Sequence, residues 1–219
     1  MAIYAPTERT TPTRLAERSS YDAAAIHAVL DEALTCHVGY IVDRRPVVLP
    51  TIHTRLGESL YLHSSSGSRL SRLAQEPGGV PVCVTVTLMD GVVLARSYMH
   101  HSMNYRSVAV HGSATPVQDD DERAAALRAV VEHVVPGRAA LTRPPTRREL
   151  AATTVLRVAL NEASLKQRTG PPKDDDEDLD YPAWAGVLAV RTEFGPAQPS
   201  PDLAPGIAPG HDVTGYRRP

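Results

Sequence analysis

Residues 59–72, SLYLHSSSGSRLSR, hold the densest set of anion-binding groups in this chain. An alternating apolar strand (Leu60, Leu62) enters a polar loop of Ser64, Ser65, Ser66, Gly67 and Ser68. The loop passes into a helix carrying Arg69 and Arg72. Helix N-termini expose unpaired N–H groups and partial positive charge, so a phosphate is stabilised there. Serine hydroxyls add donors, Gly67 permits close backbone approach, and the Arg69 guanidinium offers a forked, permanently charged contact. A plain strand, serine turn and capped helix fits the same residues equally well, because serine is a favoured N-cap.

Other chemistry is sparser. Among nine histidines, His100 and His101 are neighbours that a strand would send to opposite faces, so no metal site is expected. His111 alternates with Val108 and Val110 and reads as a strand residue facing a loop or solvent. Cys36 and Cys83 lie far apart in apolar runs and read as two buried free thiols. No serine nucleophile elbow and no GxGxxG fingerprint occur. The acidic run 174–178 reads as a solvated loop.

Composition sets the frame that must position these groups. The chain has 219 residues, 42% apolar and 22% charged, which suits one globular domain with appendages. A formal net charge of -2 gives no electrostatic case for nucleic acid or an anionic membrane. No apolar run approaches the roughly 18–20 residues of a membrane span. The N-terminal residues lack an apolar signal core, so a cytoplasmic location is expected. Residues 1–20 read as a flexible arm, 21–194 as the folded domain and 195–219 as a Pro/Gly-rich tail.

Within the domain, Asp22 caps a predicted helix over residues 23–34, with Ile26, Val29, Leu30 and Leu34 at helical spacing. Strands are predicted at 36–42 and 47–53, joined by a turn at 43–46, and at 60–63. A short helix follows at 68–74. Residues 80–88 form a near-continuous β run. Asp90-Gly91 reads as a hairpin turn, with 92–97 returning. Further strands fall at 106–114, 153–160 and 187–190, and a helix at 119–134. The fold class expected is mainly β (α+β), an antiparallel barrel flanked by helices.

Four segments in order, PVVLPTIH at 46–53, LYLHSSSGSRLSRL at 60–73, MNYRSVAVHGSA at 103–114 and the block 164–190, resemble the FMN-binding split-barrel proteins. The likeness is to the pyridoxamine 5'-phosphate oxidase-like branch that includes nitroimidazole-resistance proteins. The resemblance implies a six-stranded split barrel, a homodimer, and FMN at the subunit interface. It implies that the backbone of Leu49, Pro50, Thr51 and Ile52 runs along the isoalloxazine edge, and that His63 and Ser64 line the ring and ribityl chain. Ser68 and Arg69 would hold the phosphate, aided by Ser65, Ser66 and Arg72. Asn104, Tyr105, Arg106 and Ser107 would approach the far side of the flavin. Lys166, Arg168 and Trp184 would reach it from the partner subunit or support that interface. His63 is the first candidate for a catalytic role.

The resemblance departs at two positions. True pyridoxamine phosphate oxidases carry Arg where this chain has Leu49 and Lys where it has Leu70. The expected function is therefore a flavin-dependent oxidoreductase of a small nitro- or imine-type molecule, not a pyridoxamine phosphate oxidase. Two alternatives stand beside it: a non-enzymatic flavin-binding protein, and the same fold holding a deazaflavin coenzyme or haem.

Overall fold

β-Branched runs separated by tight turns convert the middle of the chain into antiparallel strands. The computed structural model describes residues 2–218. Its strands, in chain order, are β1 (Ser19–Ser20), β2 (Thr35–Val42), β3 (Arg45–Leu56), β4 (Ser59–Ser65), β5 (Val80–Leu94), β6 (Ser102–Pro116), β7 (Thr153–Ala159), β8 (Ala163–Arg168) and β9 (Gly186–Ala189). The helices are α1 (Ala23–Glu32), α2 (Arg69–Leu73), α3 (Asp120–Val134), α4 (Arg147–Ala152) and α5 (His211–Thr214).

Six strands close into a ring in the order β6-β7-β4-β3-β2-β5, with β5 pairing back onto β6. The fold class expected from the sequence is thus present. The interior is aliphatic, as the scarcity of aromatics demands: Val38, Val84, Val86, Val108, Val110, Leu60, Leu62, Leu156 and Val158 form one cluster. Helix α1 packs Ile26, Val29 and Leu30 into that cluster. Its start is fixed by Asp22, whose carboxylate accepts from the Ala25 N–H at 3.0 Å. Helix α3 lies outside the ring, where Ala126 packs with Tyr61, Val117 and Val155.

The predicted four-residue turn at 43–46 is tighter than expected. Asp43 and Arg44 both take positive φ (48° and 63°), which makes a two-residue hairpin turn and lets β3 begin at Arg45. Asp90-Gly91 is not a hairpin. Strand β5 continues through it to Leu94, and the register with β6 slips between Met89 and Gly91. Gly91 serves close approach instead: a Cβ there would meet Val187 Cγ1 at 2.8 Å and Leu188 O at 3.1 Å on β9.

The arm and tail lie on the domain rather than free of it; Met1 and Pro219 are outside the described residues. The Tyr4 hydroxyl meets His27 Nε2 at 2.7 Å and donates to Glu58 Oε2 at 2.5 Å. Arg9 pairs with Glu162, and β1 pairs with β8. At the other end, Arg218 donates to the carbonyls of His133, Asp31 and Glu32, and Tyr216 to that of Val134. These bonds satisfy carbonyls that helix C-termini leave open. No helix among the described residues is long and apolar enough to cross a membrane.

Candidate functional site

The serine loop forms at the end of β4 as the sequence suggests. Ser68 is the N-cap of α2, its Oγ accepting from the Ser71 N–H at 3.1 Å. Ser64 Oγ donates to the same oxygen at 2.7 Å. The Ser66 N–H reaches Ala152 O at 2.9 Å, and the Gly67 N–H reaches Ser65 Oγ at 3.3 Å. Arg69 and Arg72 are exposed, and among the described residues neither pairs with a carboxylate. Leu70, only 3% exposed, is packed into the core and cannot reach a ligand.

The strand expected along a flavin edge has an open side. Residues 45–52 of β3 pair with β2, whereas pairing with β4 covers only 53–56. Among the described residues, backbone groups of Leu49, Pro50, Thr51 and Ile52 therefore have one free edge. Leu49 and Pro50 are exposed, and Thr51 and Ile52 are half-buried. The loop and this edge supply a planar backbone rim and an exposed cationic end, which suit a flat heteroaromatic ring bearing a phosphate.

His63 stands elsewhere. Successive strand residues alternate faces, so Leu60, Leu62 and Ser64 share one face of β4 and Tyr61, His63 and Ser65 the other. His63 lies opposite Val155 of β7, on the face covered by α3. There it lines a cleft of about 750 Å³. Ala124, Leu127, Val130 and Val131 of α3 form one wall, and Ala139, Ala140, Pro144 and Pro145 another. Arg128 and Arg143 bring charge to the cleft. Arg143 Nη2 holds Glu149 Oε1 at 2.7 Å, and Glu149 closes a capping box with Thr146. The Arg143 guanidinium, with Thr146, holds the Glu149 carboxyl down at about 2. Burial pushes the His63 imidazole below its ordinary value, so it is neutral near pH 7. Its Nδ1 is buried and has no hydrogen-bond partner. Sequence reading missed this cleft. Its trace in the sequence is a second apolar row on α3, Ala124, Leu127 and Val131, of which Leu127 also packs against the core.

The remaining sequence candidates gather along β6 and β8. Arg168 and Asn104 are both buried at 8% exposure and hydrogen-bonded to each other. Asn104 Nδ2 also donates to Gly170 O at 3.1 Å. Ser107 lies between Thr87, whose Oγ1 is 3.1 Å from its Oγ, and Lys166, its register partner on β8. Tyr105 is half-buried beside Arg168. Arg106 is committed to ion pairs with Glu32 and Asp90. Trp184 is 66% exposed, its ring against Gly186, and Tyr181, Leu188 and Met103 are also exposed apolar side chains. Both cysteines are free, Cys36 buried and Cys83 half-buried. His100 is not on a strand but on a short turn of helix, where it meets the exposed Asp175 and the half-buried Asp178 within 4.8 Å.

Two solved structures match over nearly the whole chain. The flavocytochrome Anf3 from Azotobacter vinelandii is 36% identical, with a TM-score of 0.90, covering 99% of this chain and 100% of its own. The FAD and haem binding protein from Mycobacterium smegmatis is 36% identical, with a TM-score of 0.86, covering 92% and 98%. A protein of Bacteroides thetaiotaomicron assigned to 5-nitroimidazole antibiotic resistance shares the fold at 22% identity and a TM-score of 0.56, covering 68% and 85%. No curated protein sequence matches the chain. The pyridoxamine 5'-phosphate oxidase family profile matches residues 22–167, and the chain belongs to that family.

Proposed function

We propose that this chain is a flavin-dependent redox protein that also takes a haem, with the flavin at the serine loop and the haem in the His63 cleft. One observation carries the second half: a neutral, half-buried imidazole lines a mostly apolar cleft beside Arg128, unpaired among the described residues. Neutral imidazole is an ordinary haem ligand, and guanidinium groups suit propionate carboxylates. The cleft falls in the usual range of ligand pockets, about 300–1,000 Å³. The two relatives at 36% identity, named for flavin and haem, support the same reading.

In this reading a ring nitrogen of His63 would hold the haem iron, and α3 would exclude water from the cleft. Arg128, which pairs with no carboxylate among the described residues, would face the haem carboxylates, whereas Arg143 is already paired with Glu149. Ser64, Ser66, Ser68, Arg69 and Arg72 would hold the flavin phosphate, and the free edge of residues 49–52 would orient the ring. The relative named for FAD favours FAD over FMN, and the same 5'-phosphate occurs in both. When bound, the flavin supplies one- or two-electron transfer and the haem one-electron transfer at iron. A C₂ dimer would cover the exposed Trp184 and repeat each site twice.

The visible spectrum of the purified protein tests the proposal. Two flavin bands with a Soret band, the latter lost in His63→Ala, are expected. Flavin bands alone, with no Soret band after haemin is added, return the protein to the one-cofactor reading. That reading is an oxidoreductase of a small nitro- or imine-type molecule.

A further inference from the structure

The arm and β8 enclose another pocket, of about 230 Å³, lined by Glu17, Arg18, Gln167, Arg168, Thr169 and Lys173. Three basic side chains face one carboxylate there. Arg168 is the buried member, at 8% exposure. Its hydrogen bonds go to Asn104 Oδ1, Gly170 O and Pro171 O, all neutral acceptors. Among the described residues no carboxylate forms an ion pair with it. A guanidinium removed from water without a counter-charge is costly, and two of its five N–H donors remain unused. The β1–β8 register, Ser19 opposite Lys166, brings Arg18 beside the end of β8.

The net double positive charge matches the roughly -1.5 to -2 of a phosphate ester, whose oxygens a guanidinium can hold in pairs. The pocket is smaller than the usual 300–1,000 Å³ or so of a whole-ligand site, so it suits the anionic end of a longer molecule. We propose that this pocket binds the phosphate of a nucleotide, with Arg168 as its anchor and Arg18 and Lys173 as its outer clamps. The inference stands apart from the haem reading. The nucleotide has two possible sources: the adenylate half of a bound flavin, or a free nucleotide.

The test is calorimetric titration of ADP and of inorganic pyrophosphate into the full-length protein and into an Arg18→Gln, Lys173→Gln double variant, whose exposed or half-buried positions leave the core untouched. Saturable binding of both probes is expected, weakened at least about tenfold in the variant and by added salt. No saturable binding in the millimolar range, or equal affinity in the two proteins, overturns the proposal. Titrating FAD and FMN separates the sources. Losses for ADP and pyrophosphate accompanied by a loss for FAD and not for FMN assign the pocket to the flavin's own adenylate. A loss confined to ADP and pyrophosphate assigns it to a free nucleotide. An equal loss for FAD and FMN overturns the proposal, because it implicates their shared 5'-phosphate. If no flavin binds at all, the ADP titration still decides.

Discussion

Replacing His63 by leucine should stabilise the cofactor-free protein while abolishing the proposed haem site. The His63 Nδ1 is buried without a partner, and burial alone depresses the imidazole's affinity for a proton. An orphaned buried nitrogen costs about 1–3 kcal/mol, and leucine removes that cost. Leucine also adds apolar contact with Leu127 and Val130 across the cleft, although the half-buried position limits the gain. A net gain of about 1 kcal/mol is expected, which raises Tm by roughly 2–4 °C in a domain of this size. Thermal melts of both proteins stripped of cofactor measure the first effect, and haemin titration followed at the Soret band measures the second. A histidine that merely supports the fold would behave in the opposite way. A lower Tm for His63→Leu, or undiminished haem binding, would refute the argument that the fold tolerates this residue for a ligand's sake.

Four further outcomes follow from the geometry. Gly67 has ordinary φ and an added Cβ would meet only Ser65 Oγ at 3.8 Å, so Gly67→Ala should leave Tm unchanged yet weaken flavin binding if the backbone approaches the phosphate. Arg69→Ala should weaken flavin binding by about 1.5–3 kcal/mol, roughly ten- to a hundredfold, read by fluorescence titration. His53 is fully buried, and burial, above the bond from its ring to Leu30 O, brings its pKa down to about 4. The unfolded chain therefore takes up that proton first as pH falls below about 6.5. About 3 kcal/mol of stability should be lost between pH 6.5 and 4, and urea melts of His53→Gln should show a flatter acid limb. Pyridoxamine 5'-phosphate should be oxidised with a catalytic efficiency below about 10⁴ M⁻¹s⁻¹, because Leu70 is locked in the core and Leu49 offers no charge.

The sequence revealed the parts of this fold that depend on local chemistry. Asp22, Ser68 and Asp119 announce their helices because a side-chain acceptor must meet an open N–H. The β-branched run from Val80 reads as a strand because its valines bury on the inner face. What stayed hidden depends on partners distant in the chain. The Asp90-Gly91 pair carries a true backbone signal, but whether it turns the chain or admits β9 depends on Val187, nearly a hundred residues away. Strand β8, ASLKQR, is short and half polar, and is recognisable only beside β6 and β1. The arm and tail lack apolar periodicity, and are held by single tyrosine and arginine side chains that reach carbonyls and carboxylates.

The division of labour on β4 shows where sequence logic, followed further, gives more than motif matching. The resemblance assigned His63 and its neighbour Ser64 to one ligand. The period-two rule forbids that in a regular strand, because adjacent side chains leave opposite faces. Leu62 and Leu60 hold the inner face in the core, and Tyr61 commits the other face to α3 through its hydroxyl on Glu122 at 2.7 Å. His63 must then follow Tyr61, and Ser64, bonded to Ser68, must follow the loop. Two ligand environments therefore meet at consecutive residues, whose Cα atoms are about 3.8 Å apart. On the proposed reading, one strand's thickness separates a flavin-side polar loop from a haem-side imidazole. On that reading the short, covalently continuous route would couple the two sites for electron transfer.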